Sequence, residues 1–189
     1  MNLNKYLFES VEQIKDVDEE GGLRTKGIFK KSKKDEPLIS VITVVLNNER
    51  YLEEAIESLK FQKYRNFEHI VIDGGSTDRT LEIIKKNDEN IDYWISKKDK
   101  GIYDAFNLGM KLAKGDYLGF LNSDDRFTHE AFATLKKYIL NFPDKDFIFG
   151  AVKKHWGILY GYKPYKIFWS WGFYSSHSTG FFIKTNSAK

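Results

Sequence analysis

From Leu38 the chain runs almost without polar interruption through Leu38-Ile39-Ser40-Val41-Ile42-Thr43-Val44-Val45-Leu46. So dense a β-branched run predicts a strand buried on both faces, as in parallel sheets. Spacing then changes to a helical period. Leu52, Ala55, Ile56 and Leu59 fall at i, i+3, i+4 and i+7, which predicts a helix over 50–62 with one apolar face. The alternation continues: a strand over 67–72, a helix capped by Ser76 or Thr77 and running to about Lys86, a strand over 91–95, and a third helical stripe at Ile102, Phe106, Gly109 and Ala113. A strand over 116–121, a helix on Phe132, Leu135 and Ile139, and a fifth strand at Phe147-Ile148-Phe149 complete the series. Strands and helices alternating over short connections specify an α/β fold, a mostly parallel central sheet flanked by helices.

The first 36 residues do not share this pattern. They mix eight Lys/Arg with eight Asp/Glu, contain Gly21-Gly22 and Lys30-Lys31-Ser32-Lys33-Lys34, and lack long apolar periodicity. They read as a flexible or loosely packed leader, residues 1–36, ahead of an α/β domain over 37–155. Residues 156–189 form an aromatic-rich tail.

Composition narrows the function classes. The chain has 189 residues, 30 basic and 27 acidic, so its net charge of +3 does not mark a nucleic-acid binder. It has no cysteine, which excludes disulfides and thiolate chemistry and agrees with a reducing cytoplasm. No apolar run approaches the ~20 residues that span a bilayer. Residues 1–10 lack the basic-then-apolar order of a secretory signal.

Polar residues collect where the predicted strands end. Thr43 and Asn47-Asn48-Glu49 follow the first strand, Asp73-Gly74-Gly75-Ser76-Thr77-Asp78 the second, Asp99-Lys100-Gly101 the third, and Asn122-Ser123-Asp124-Asp125 the fourth. In open α/β sheets ligands bind outside the carboxyl ends of the strands. Each group alone is also ordinary turn or cap chemistry, and Ser76, Thr77 and Asp78 read that way. Asp73 ends a buried strand ahead of two glycines that let backbone approach a ligand. Asp124 and Asp125 offer the hard oxygen ligands that Mg²⁺ or Mn²⁺ takes together with substrate phosphates. There is no G-x-G-x-x-G after the first strand, no P-loop, no paired His spacing and no G-x-S-x-G elbow, so redox, NTPase, zinc hydrolase and serine esterase readings fall away.

Four ordered motifs carry a family resemblance. Pro37 to Thr43 with Asn47, Ile72 to Asp78, Asp99 to Ala105 with Asn107 and Gly109, and Gly115-Asp116 with Asn122 to Asp125 together resemble the family 2 glycosyltransferases over about residues 37–184. The resemblance implies a GT-A fold, a nucleotide-diphospho-sugar donor (most often a UDP-sugar), a divalent metal (Mg²⁺ or Mn²⁺), and inversion at the anomeric carbon. It implies a glycan or lipid-linked acceptor, cell-envelope polysaccharide synthesis, and a place in the cytoplasm at the inner face of the membrane. By resemblance, Thr43 and Glu49 line the nucleotide pocket, Asp73 faces the base, Asp99 and Asn107 shape the ribose side, and Asn122-Ser123-Asp124 occupies the D-x-D position with Asp124 as the main metal carboxylate. Asn47 and Ser123 join the donor site, and Asp125 the metal set.

The chain departs from the pattern twice. Asn122 stands where many members have Asp. An inverting transfer also needs a general base, normally Asp or Glu on the acceptor side, and no Asp or Glu follows Asp146. The resemblance therefore reads as an apparently C-terminally truncated member, with a donor binder lacking its base as the alternative. His177 reads as structural. The tail packs Trp156, Tyr160, Tyr162, Tyr165, Phe168, Trp169, Trp171, Phe173 and Tyr174 among Lys163 and Lys166. Three roles stay open for it: a packed cover over the sheet, stacking on an acceptor sugar as an incomplete acceptor-side segment, and peripheral membrane contact.

Overall fold

A computed structural model describes residues 17–154, 157–159 and 178–189. His177 and the aromatic cluster of the tail lie outside them.

The Leu38–Leu46 run becomes β2 (Ile39–Val45), buried at every position. Its neighbours are β3 (Phe67–Asp73), parallel in the register Ile39 to Phe67 through Val45 to Asp73, and β5 (Tyr117–Phe120), also parallel. With β1 (Glu19–Gly21), β4 (Tyr93–Ser96), β9 (Phe181–Lys184) and β6 (Phe147–Phe149), they form a seven-stranded sheet in the order β1-β4-β3-β2-β5-β9-β6. A two-stranded hairpin, β7 (Val152–Lys154) with β8 (Gly157–Leu159), stands apart from it.

Both faces of the central strands are covered, which is why their sequences read as continuous apolar runs rather than alternating ones. On one face Val41 packs with Ala55 and Leu59 of α1 (Leu52–Lys60) and with Phe132, Leu135 and Ile139 of α4 (Ala131–Asn141). Val45, Ile56 and Ile84 of α2 (Thr80–Lys86) extend that face. On the other, Ile42 and Val44 meet Ala105 and Leu112 of α3 (Ile102–Leu112). Each large side chain removed from water here contributes about 1.5–3 kcal/mol. Gly109 sets how closely α3 sits: a Cβ there would lie 2.4 Å from Ile42 Cγ2.

Two features depart from the sequence expectation. The Phe181–Lys184 segment enters the sheet antiparallel between β5 and β6, so the expected fifth strand pairs with β9 and not with β5. Part of the leader is packed: β1 adds an antiparallel edge to β4, and Arg24, in the 3₁₀ turn Leu23–Lys26, is buried. Arg24 Nη2 lies 2.5 Å from Glu68 Oε2, while Ser40 Oγ and the Lys114 N–H donate to Glu68 Oε1 at 2.5 and 2.7 Å. A charged residue in a mixed-charge leader gives no hint of burial. Its partner, Glu68, lies in β3, 44 residues away. A short helix, α5 (Thr185–Ala188), follows β9. No described helix is long and apolar enough to cross a membrane.

Candidate donor-binding site

The loops after β2, β3, β4 and β5 meet at one end of the sheet and are tied together by side chains. The β2 loop turns through Asn47, whose φ of 51° lies in the left-handed region that Asn enters more readily than most residues other than glycine. Asn47 N–H donates to Ser76 Oγ at 2.8 Å, and Asn47 Oδ1 accepts from the Thr77 N–H at 2.8 Å. Glu49 Oε2 accepts from the Arg79 N–H at 2.9 Å, and the Glu49 N–H donates to Asp78 Oδ2. Burial raises the Asp78 carboxyl, but hydrogen bonds from Thr80 and from the Glu49 backbone outweigh it and hold Asp78 below its ordinary range.

Further contacts extend this stitching in both directions. Asn48 Nδ2 donates to Ser123 Oγ at 2.7 Å, joining the β2 loop to the acidic loop after β5. On the opposite side the Gly74-Gly75 turn packs against the β4 loop. A Cβ at Gly74 would come within 2.9 Å of Asp99 Oδ2, and Gly75, at φ 86°, lies against the Lys98 backbone. Asp99 Oδ1 accepts from the Gly101 N–H at 2.8 Å, which sets the first turn of α3.

Two of the expected pocket residues are engaged inside the protein. Thr43 has no exposed surface, and its Oγ1 lies 3.0 Å from His69 Nε2, so it supports the loop from beneath and does not line an open pocket. His69 is itself enclosed, its Nδ1 has no hydrogen-bond partner among the described residues, and burial, with the Lys30 charge adding to it, pushes its pKa down to about 3. Asp73 is likewise fully buried. Its carboxylate accepts from Ser96 Oγ at 2.6 Å and from the Ser76 N–H and Oγ, which leaves it holding the Gly74–Ser76 turn and not aimed outward at a base. Asn107 is exposed on α3 and hydrogen-bonds none of the other candidates among the described residues.

The acidic loop differs from its neighbours. Asn122 Nδ2 donates to Asp125 Oδ2 at 2.8 Å, Ser123 is held by Asn48, and Asp125 also accepts from Thr179 Oγ1. Asp124 alone of the four is exposed and makes no hydrogen bond or ion pair with the described residues. Among those residues no group of three His, Cys, Asp or Glu side chains converges. A divalent ion held here would therefore take Asp124 and complete its shell from ligand phosphates and water, the arrangement Mg²⁺ favours. Beside Asp124 and Asp125 opens a cavity of about 1000 Å³, lined by Phe127, Tyr138, Phe149 and Gly180 among others. Asn48, Ser96 and Thr179 escaped the sequence reading. Asn48 stood in a motif already singled out and Thr179 in the segment 177–184 that resembles the family's acceptor side, whereas nothing local marks Ser96.

A mostly parallel α/β sheet with its polar loops joined at the strand ends defines an open α/β protein of the kind that binds ligands at the carboxyl ends of its strands. The family model for glycosyl transferase family 2 matches residues 40–187, and the chain belongs to that family. An uncharacterized glycosyltransferase of Mycobacterium tuberculosis is 44% identical over 93 residues, 49% of this chain and 36% of the relative. A PGL/p-HBAD biosynthesis glycosyltransferase of Mycobacterium bovis is 33% identical over 120 residues, 61% of this chain and 47% of its own. The chain thus spans less than half the length of either relative. Among solved structures, S. aureus TarS 1-349 superposes with a TM-score of 0.61 at 26% identity, covering 78% of this chain and 47% of TarS 1-349. The same TarS segment in complex with UDP-GlcNAc gives 0.56 at 28%, covering 61% and 34%. The fold is also shared with the Pyrobaculum calidifontis mannosyltransferase PcManGT, determined with GDP-Man and Mn²⁺, at 18% identity and a TM-score of 0.57, over 80% of this chain and 43% of that one.

Proposed function

We propose that this chain is the donor-binding part of an inverting glycosyltransferase that takes its sugar from a UDP-sugar. The observation that carries the reading is the stitched set of loops that leaves Asp124 exposed and, among the described residues, without a hydrogen bond or ion pair. The base and ribose lie over the loops carrying Asn47, Glu49 and Asp99, with Asp73 and Thr43 as the buried supports of that surface. The diphosphate reaches Asp124. A divalent cation, Mg²⁺ or Mn²⁺, held by Asp124 would neutralise the charge that grows on the leaving nucleoside diphosphate. The TarS structure with UDP-GlcNAc, above a quarter identical, supports the choice of a uridine donor. The apolar cavity beside Asp124 lies where a glycan or lipid-linked acceptor would approach, and its aromatic lining suits stacking on a sugar ring. We place this reaction at the cytoplasmic face of the membrane.

The test is calorimetric titration of UDP with and without Mn²⁺. The expected result is metal-dependent binding that Asp124→Ala weakens by about 30-fold or more, in line with loss of a metal ligand. Binding that ignores Mn²⁺, or an Asp124→Ala protein that binds like wild type, overturns the reading. A second reading is donor binding without transfer, since the chain spans less than half the length of the glycosyltransferases it matches. Sugar transfer to an acceptor well above the rate of donor hydrolysis would refute it.

A further inference from the structure

Asp125 adjoins Asp124, and proximity alone groups the two as metal carboxylates. The hydrogen bonds divide them. Asp125 Oδ2 accepts from both Asn122 Nδ2 at 2.8 Å and Thr179 Oγ1 at 2.6 Å, and the Asp125 N–H donates to the Asn122 carbonyl at 3.0 Å. Thr179 lies 54 residues further on, only 5% exposed, in the 3₁₀ turn Ser178–Gly180 that leads into β9. That turn is itself fixed. The Gly150 N–H donates to the Gly180 carbonyl at 2.7 Å, and a Cβ at Gly180 would lie 2.6 Å from Val152 Cγ2.

We propose that Asp125 and Thr179 are positioning residues that moor the acidic loop to the start of β9 and so set the direction of Asp124. This deepens the donor-site reading and rests on it. The loop is anchored on both sides of Asp124: Ser123 receives the Asn48 amide, and Asp125 receives the Thr179 hydroxyl. A hydroxyl donating to a carboxylate is among the stronger neutral-to-charged hydrogen bonds. A ligand whose backbone is held on both sides orders little more when it takes the metal, so binding loses less entropy. The antiparallel insertion of β9 between β5 and β6 brings Thr179 to this loop, so the mooring joins the donor loop to the far half of the sheet.

The test measures Mn²⁺ affinity of the full chain at saturating UDP. Thr179→Val keeps the shape and removes the donor, and is expected to weaken Mn²⁺ by about 10-fold, the low end of what loss of an outer-shell partner costs. Thr179→Ser should return the affinity to within about twofold of wild type, which a purely steric role would not do. Asp125→Asn keeps an acceptor oxygen for both donors. It should weaken Mn²⁺ no more than Thr179→Val does, whereas Asp124→Ala should cost about 30-fold or more. A Thr179→Val protein matching wild type, while Asp124→Ala loses Mn²⁺, overturns the mooring and leaves the donor site standing. An Asp125→Asn loss as large as that of Asp124→Ala makes Asp125 a direct ligand, which also overturns it. An Asp124→Ala protein indistinguishable from wild type overturns the donor site and the mooring together.

Discussion

The enclosed histidine beneath the donor loops makes stability fall in acid, and the amount follows from its surroundings. His69 is 1% exposed on β3, its Nε2 pairs with Thr43 Oγ1, its Nδ1 has no partner among the described residues, and its pKa is about 3 against an ordinary 6.5. The folded state therefore keeps the ring neutral while the unfolded chain protonates it. Stability from this group is complete above pH 6.5 and drains as pH falls toward 3, because the unfolded state binds the extra proton. At about 1.36 kcal/mol per pH unit, the loss between pH 8 and pH 4.5 is about 2–3 kcal/mol. Neighbouring Asp92, whose carboxyl burial raises, also responds to pH, so the measurement is a difference. Urea unfolding midpoints would be compared across pH 4.5–8 for the wild type and for a His69→Leu, Thr43→Val double variant that leaves no orphan hydroxyl. The wild type should lose about 2–3 kcal/mol more than the variant over that range. Parallel curves for the two proteins would refute the assignment of a neutral, enclosed ring.

Other substitutions probe other joints of the fold. Asp73→Ala strands the Ser96 and Ser76 donors and should cost about 2–4 kcal/mol in urea unfolding without bound nucleotide. An unchanged midpoint would mean that Asp73 is not the buried support described here. Glu68→Gln leaves Arg24 as an unpaired buried charge, with an expected cost of about 3–5 kcal/mol. Arg24→Met together with Glu68→Gln should recover part of that, and a double variant no better than the single would contradict the pairing. Gly109→Ala forces α3 off Ile42 at about 1–3 kcal/mol, relieved by Ile42→Ala in a double-mutant cycle. Additive effects would show that the close approach is not real.

The layered α/β fold was legible because its strands and helices differ in hydrophobic period. Val41, Ile42, Val44 and Val45 within one strand require cover on both faces, and the stripe Leu52, Ala55, Ile56, Leu59 supplies one cover. The place of Asp124 just past a strand end was legible too, while its metal role stays a proposal. What escaped were properties fixed by contacts far apart in sequence. Nothing near Asp73 announces that Ser96, 23 residues on, will take its carboxylate, and nothing in Thr43 says that it faces His69 and not solvent. Arg24 looked like one more surface cation until Glu68 met it across 44 residues. The β9 strand was missed because Phe181-Phe182-Ile183 is short, and its antiparallel insertion is a property of topology that no local period encodes.

The central claim is that Asp124 meets a metal-bridged diphosphate at the end of β5. Its most direct test is an anomalous difference map, recorded at a Mn absorption edge, from crystals grown with UDP and Mn²⁺. The account predicts one strong peak within about 2–2.5 Å of an Asp124 carboxylate oxygen, contacting the diphosphate, with uridine over the Asn47–Glu49 and Gly74–Ser76 loops. A metal peak away from Asp124, or UDP bound outside these loops, would contradict it.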